Sequence, residues 1–582
     1  MKKLTFLLAV FAAGLLTTSC SSDNEAAAVD NSGLFNANGE AFLTVSINQP
    51  TTGMRAATFE GEATDAEATV GSAILALFAG PNESDATFQA AYSLTSLTAG
   101  AAADNNIQKT YTVTVKNNDV IRSNFLYAFV IANPGSVFAV DGINLKVKNA
   151  GKSEFTTYKA SDAVKFSTFQ KKEIDNYGTE SAMLMTNVPL ANMAGGTNNP
   201  SSATVTTLTK IDETYLKPTE EASQGVPVTI YVERVAAKVG VGLATGTWTK
   251  DAAGLVTDAV KGGIKWVVDN QEPTTYLVRN FSTTYFGYQS SVTAGDDYRF
   301  ISDTKEKAGE EIYRLFWAED PHYSYTDGDY NKTQKSLDAT NLFTTVTDPD
   351  DIKVATGSTA YAFENTMNEW GMTHDKTTRV LVKVPFNASA FFAMNGEDKI
   401  LDKTAAEAAT LTYIKSMATV KTYITTGSKD ESKLSVTLTG NANGTVTLKG
   451  QYAGADDSDL DTAIGDLATT LKLKYYPTGN AYYTILIHHF DKNDETPLAS
   501  TSNGNTYTSI YGTTPSAENY LGRFGVVRNN WYQITIDGIS HLGEPIIPDP
   551  SDDTTPDDDH DKYISYTIYV TKWAKHSESV TL

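Results

Sequence analysis

The sequence predicts a mainly β protein with a few short helices, and its composition and periodicity carry that prediction. Thirty tyrosines and frequent Thr, Val and Gly favour pleated, half-buried surfaces. Apolar residues recur at every second position in short runs bounded by Gly, Asn, Asp and Pro, the pattern of strands between turns. Long stretches with helical spacing are few. At 582 residues the chain exceeds one ordinary core, so two or three domains are expected. A net charge of -23 argues against nucleic acid and anionic lipid surfaces as partners, because the long-range field repels both.

The N-terminus reads as an export signal. Lys2 and Lys3 form a basic start, and Leu4 to Leu16 form an apolar run too short to span a bilayer comfortably. The run ends at Cys20, the only cysteine, so no intrachain disulfide can form. Leu16-Thr17-Thr18-Ser19-Cys20 resembles a bacterial lipoprotein signal, with Thr17 where Leu is usual; the plainer reading is ordinary signal cleavage beside an incidental cysteine. Residues 1–20 are therefore expected to be a signal peptide acylated, as by palmitate, at Cys20. No later segment approaches the roughly 18 consecutive apolar residues of a membrane helix.

After a small, polar and acidic leader, Leu43, Val45 and Ile47 alternate with Thr44, Ser46 and Asn48 in a strand that stops at Pro50. Thr51-Thr52-Gly53-Met54-Arg55-Ala56 follows, a pliable stretch that suits an Arg-specific protease and equally suits a surface loop. A first domain is expected over residues 56–225. Its strands fall at Val70 to Phe78, Tyr111 to Val115 and Phe125 to Ala132, the last closed by the turn Asn133-Pro134-Gly135. Ala182 to Met185 is a further apolar run.

Val226, Val228, Ile230 and Val232 alternate, and the parity then switches to Val235, Ala237, Val239 and Val241. Such a switch implies a bulge or a crossing between sheets near Glu233-Arg234. A second domain is expected over residues 226–543. It holds a hairpin around Asn441 to Gly444, a helix over Thr404 to Thr425, and strands at Tyr482 to Phe490 and Trp531 to Ile536. Residues 544–561 are acidic and proline-rich, the composition of an extended tether. Beyond it, in residues 562–582, Ile564, Tyr566, Ile568 and Val570 share one side of an alternating strand. That face needs a partner, either a neighbouring molecule or the chain's own last domain.

No catalytic constellation emerges. His488-His489 point to opposite faces of a strand and cannot readily share one ion. Asp457, Asp459 and Asp461 have the spacing of a calcium loop, but Thr462 stands where Gly is needed and Ala468 where the bidentate Glu belongs. Phosphate loops, nucleophile elbows and zinc-protease helices are missing from the sequence, so neither an enzyme activity, a cofactor nor a metal is assigned.

Ordered landmarks give a resemblance. They are the signal ending at Cys20, the strand before Arg55, Phe125-Leu126-Tyr127-Ala128-Phe129-Val130-Ile131-Ala132-Asn133, and Val232-Glu233-Arg234-Val235-Ala236-Ala237-Lys238-Val239. Tyr482 to Ile487, Val527-Arg528-Asn529-Asn530-Trp531-Tyr532-Gln533-Ile534 and the terminal strand with Trp573 complete the series. Together they resemble the fimbrillins of type V pili, and within them the major subunit of short fimbriae.

The resemblance implies two transthyretin-like, Greek-key β-sandwich domains and an extended C-terminal donor strand. It implies a structural pilin, a fimbrial stalk subunit used in adhesion, biofilm formation and virulence. The precursor would be lipid-anchored at the cell outer membrane and the product an extracellular fimbria. An Arg-specific surface protease would cut at Arg55-Ala56, removing the propeptide 21–55 with Leu43, Val45 and Ile47. The emptied groove would take Ile564, Tyr566, Ile568, Val570 and Trp573 of another copy. Implied partners are a homopolymer of the same subunit, accessory, anchor and tip pilins, and a host or bacterial receptor. The alternatives are an accessory or tip subunit, and a surface glycan-binding lipoprotein.

Overall fold

The computed structural model describes residues 34–48, 65–94, 98–99, 109–116, 125–193, 203–212, 214–245, 248, 250–251, 254–286, 300–305, 310–323, 343–368, 372–396, 398–489, 521–552, 557 and 564–572. Strand outweighs helix, 43% to 17%, so the mainly β expectation holds.

The first sandwich is built from β1 (Glu40–Asn48), β2 (Ala73–Gly80), β3 (Thr87–Leu94), β4 (Lys109–Lys116), β5 (Phe125–Ala132), β6 (Met185–Asn187) and β7 (Val228–Arg234). Their order is β3-β2-β5-β6-β7-β1-β4. β7 joins the two halves: Val228 to Tyr231 pair in parallel with Val45 to Asn48, while Val232 to Arg234 pair antiparallel with β6. The sheet thus folds over an apolar interior that holds Leu43, Val45, Ile47, Val115 and Ile230 together with Leu75, Leu77 and Val130.

β2 and β5 read as unbroken apolar runs because both of their faces are covered. Ile74, Ala76, Phe78, Phe129 and Ile131 enter a second core with Phe166, Phe169 and the small sheet Phe138–Asp141, Asn144–Lys148 and Phe155–Tyr158. Aromatic edges fix that layer, with Phe78 and Phe166 centroids 5.3 Å apart at 78° and Phe129 and Phe169 5.6 Å apart at 89°.

Two residues, Val235 and Ala236, separate β7 from β8 (Ala237–Leu243), which belongs to the second sandwich. The parity switch is therefore a crossing between sheets. The other strands are β9 (Lys265–Asp269), β10 (Thr359–Ala362), β11 (Arg379–Pro385), β12 (Asn480–Leu486), β13 (Asn530–Ile539) and β14 (Ile564–Lys572). One sheet runs β14-β13-β8-β10 and the facing sheet β9-β11-β12. Val239, Val241, Tyr532, Ile534 and Ile536 meet Trp266, Val382, Tyr483 and Ile485 between them.

Between β11 and β12 the chain inserts helices at Lys403–Ser416, Ala418–Thr426, Ser458–Ile464 and Leu467–Thr470 and the hairpin Leu434–Gly440 with Val446–Tyr452, packed around a separate apolar cluster. The helix expected over 404–425 is broken in two, Lys403–Ser416 and Ala418–Thr426, because Met417 takes an extended conformation with φ -67° and ψ 135°. The break brings Val420 onto the same cluster as Ala406 and Ile414. The first expected strand after residue 56 begins at Ala73, not Val70.

Two further expectations change. The sheet of the first sandwich reaches Arg234, past the limit of 225 set from sequence, because β7 pairs with β1 and β6. The acidic, proline-rich segment is also held against the second sandwich at Glu544, Pro548 and Asp557. Glu544 bridges Tyr482 through both main-chain groups at 2.8 and 2.9 Å, and Arg379 donates to the Pro548 carbonyl at 2.6 Å. Asp557 is buried, its amide on the Met372 carbonyl at 3.1 Å and its carboxylate accepting from the Thr377 hydroxyl. Its main-chain groups find acceptors and donors on the sandwich, which the composition alone did not show.

Candidate functional site

The first strand, β1, lies inside its sheet. Glu40 to Ile47 pair antiparallel with Lys116 to Lys109 of β4, and Val45 to Asn48 pair in parallel with β7. Leu216–Lys217 adds two antiparallel pairs at Phe42 and Leu43. Leu43, Val45 and Ile47 are fully buried, as the alternation requires.

The opposite face is buried as well. Thr44 and Ser46 are also at 0% exposure, beneath the short helix Glu220–Gln224. Thr44 Oγ1 lies 2.8 Å from both Thr112 Oγ1 and Ser223 Oγ, a hydroxyl cluster that satisfies its polar atom in place of water. Taking β1 away leaves a slot with an apolar floor, a hydroxyl roof and two unpaired strand edges.

The terminal strand lies elsewhere. β14 pairs antiparallel with β13 of the same chain, Ile564 opposite Ile539, Tyr566 opposite Ile536, Ile568 opposite Ile534 and Val570 opposite Tyr532. Ile564 is buried in the second core, and Tyr566 and Ile568 pack partly against it. In the single chain this strand therefore covers its own sandwich. Cys20, Arg55, Ala56 and Trp573 lie outside the described residues.

Where the sandwiches meet, the charged residues of the Val232 and Val527 landmarks form a buried network that the sequence reading did not interpret. Arg279 forks onto Glu233 at 2.9 and 2.6 Å and also reaches the Leu315 and Arg528 carbonyls at 2.8 and 3.1 Å. Arg528 bonds Glu364 at 2.9 Å and Thr275 Oγ1 at 2.7 Å. Lys238 sits 2.7 Å from Glu67 and 4.1 Å above the Trp531 ring. Arg234 donates to the Glu67 carbonyl at 3.1 Å and to Asn529 at 3.2 Å. Burial lowers the Arg234 pKa to about 10, opposed by the nearby Glu67 charge. The available signal was a charge inside an otherwise apolar run, at Glu233-Arg234, Lys238 and Arg528.

The other candidates have structural duties. His489 lies 2.7 Å from the Tyr532 hydroxyl and 2.6 Å from the Phe316 carbonyl, while the His488 ring packs on Phe524. Asp457 caps the helix Ser458–Ile464 by accepting from the Asp459 and Leu460 amides, and it pairs with Lys429 at 2.6 Å. Asp461 accepts from the Gly450 amide at 2.7 Å.

Residues 474–579, from the edge of the inserted unit through β14, match the family model described as major fimbrial subunit protein type IV, fimbrillin, C-terminal. No curated protein matches the chain. Among solved structures it is similar to a fimbrilin from Porphyromonas gingivalis W83, at 12% identity and a TM-score of 0.33, covering 92% of this chain and 99% of that one. A tip fimbrial protein from Porphyromonas gingivalis with a C-terminal truncation aligns at 12% identity and 0.28, over 92% and 100%. A fimbrial assembly protein from Parabacteroides distasonis aligns at 11% and 0.25, over 59% and 81%. These scores are too low to carry an argument; the match of the C-terminal segment, β12 to β14, is to a fimbrillin.

Proposed function

We propose that this fimbrillin-like chain is a pilin that polymerises head to tail by strand exchange into extracellular fimbriae. The observation that carries the reading is the position of β1, a central strand whose removal opens a slot instead of trimming an edge. Cleavage at Arg55-Ala56 falls between β1 and the helix Asp65–Ala68 and leaves β1 held by non-covalent contacts alone. While attached, β1 occupies the slot at high effective concentration; once cut, it competes as a separate molecule. Strand addition from another copy then satisfies the exposed backbone edges.

β14 has the chemistry to fill that slot. Ile564-Ser565-Tyr566-Thr567-Ile568 repeats the order of Leu43-Thr44-Val45-Ser46-Ile47, large apolar residues alternating with hydroxyl residues. Full burial of each apolar side chain stabilises the joint by about 1.5–3 kcal/mol before ordering costs. Because slot and strand are different surfaces, the contact repeats without closing and builds a filament. The precursor is anchored through a lipid on Cys20. Domain limits follow the sheets, the first domain closing at Arg234 and the second opening at Ala237.

The docking of β14 on its own sandwich supports a second reading, a tip or accessory subunit that accepts a strand without donating one. Deleting residues 562–582 separates them. A stalk subunit loses polymerisation while still reaching the surface, and unboiled extracts lose their ladder on an SDS gel. An unchanged ladder rejects the stalk role. N-terminal sequencing of subunits from sheared fibres tests the cut itself: a start at Ala56 supports it, and subunits that retain β1 overturn it.

A further inference from the structure

Away from the slot, Glu272, Asp320 and His322 bring one ligand atom each to within 4.8 Å of the others. Glu272 follows β9, where Gln271 and Thr344 exchange main-chain hydrogen bonds; Asp320 and His322 follow the strand Ile312–Leu315. No sequence motif links the two segments.

Both carboxyls are buried, each at 3% exposure. Glu272 Oε2 lies 2.8 Å from His322 Nδ1, while its Oε1 has no hydrogen-bond partner. Leaving such an oxygen dry and unpaired is costly. Asp320 accepts from the His322 amide at 2.6 Å and from the Thr366 amide and hydroxyl, with lone pairs to spare.

Among the described residues, neither acid pairs with a Lys or Arg. That contrasts with the junction, where Glu67, Glu233 and Glu364 each meet a cation. Burial pushes the Glu272 and Asp320 carboxyls well above their ordinary range, and each is raised further by a neighbouring carboxylate, Glu173 for Glu272 and Glu272 for Asp320. A doubly charged cation relieves both effects at once.

We propose that Glu272, Asp320 and His322 form a divalent transition-metal site, with zinc its best fit and manganese next, which ties the segment after β9 to the segment after Ile312–Leu315. One imidazole nitrogen with two carboxylate oxygens suits these ions, whereas calcium and magnesium favour all-oxygen sets with more ligands. Binding exchanges the His322–Glu272 hydrogen bond for two bonds to the metal and releases protons from the site.

The test uses the purified full chain stripped with EDTA and titrated calorimetrically with ZnCl2, MnCl2 and CaCl2, with Glu272→Gln in parallel. Gln keeps the shape and the neutral, hydrogen-bonding character of the protonated acid, so the metal-free variant melts close to the parent. The expected result is one zinc per chain, bound more tightly than calcium and raising the melting temperature. In Glu272→Gln the affinity falls at least about tenfold and the thermal shift disappears. Equal zinc binding by the two proteins, or no zinc-dependent thermal shift in the parent, overturns the site. Polymerisation is not read by either measurement, so the result is independent of the pilin assignment.

Discussion

Glu83 shows how one side chain can set a pH dependence. It lies in the turn after β2 and accepts from the Thr207 amide at 3.0 Å on each oxygen, and from the Leu208 amide at 3.0 Å. Burial raises its pKa from 4.5 to about 7 and outweighs those amide donors, which favour the charged form. The folded chain therefore holds this proton over a window in which the unfolded chain has lost it, and stability falls as pH rises from about 4.5 to about 7. Melting temperatures measured from pH 5 to 8 should decline across that window, and Glu83→Gln should flatten the decline. An unchanged slope in the variant assigns the effect to other groups. None of this was legible in the sequence, because Glu83 stands in an ordinary turn and its amide partners come from residues far along the chain.

At the scale of elements, the period of β1 and β14 could be read directly, since alternation survives whatever the surroundings. What covers the second face could not. Thr44 and Ser46 are as buried as the apolar face, with the helix Glu220–Gln224 packed on β1 and Ser223 on Thr44. The acidic composition of residues 544–561 likewise hid the main-chain contacts of Glu544 and Pro548, which depend on where a distant sheet presents its edge. The break at Met417 was invisible because either backbone conformation suits that residue. β1 also gives a conditional prediction. Leu43→Ala should destabilise the uncut chain by about 2–5 kcal/mol, the usual range for truncating a buried Leu. If the proposed cleavage removes β1, the same substitution should leave subunits in finished fibres unaffected; thermal melts of precursor and fibre make the comparison. An equal loss in both would mean that β1 stays in the polymer.

Across the whole molecule, the junction couples the two sandwiches through Glu67–Lys238, while Glu233–Arg279 and, within the second sandwich, Glu364–Arg528 fill the charged interior beside it. Removing one partner strands the other charge in a dry interior, so Glu233→Ala should cost about 3–5 kcal/mol, read as a drop in melting temperature. A loss below 1 kcal/mol would show that water reaches Arg279 and that the joint is looser than drawn. The crossing between sandwiches was legible in the parity switch, whereas the pairing of these charges was not, because each partner lies on a different part of the chain.

The continuity of β7 and β8 has a mechanical meaning. Residues 228–243 run through both sandwiches with only Val235 and Ala236 between strands, and each strand lies parallel to a neighbour, β1 on one side of the crossing and β13 on the other. A tensile load applied to one sandwich reaches the other along this backbone run, braced by buried ion pairs and not by surface loops. On the second sandwich the parallel neighbour β13 puts such a load across many ladder hydrogen bonds at once, in shear, where a hairpin would unzip one bond at a time. Under the proposed assembly, this continuous run is the path along which one joint would pull on the next.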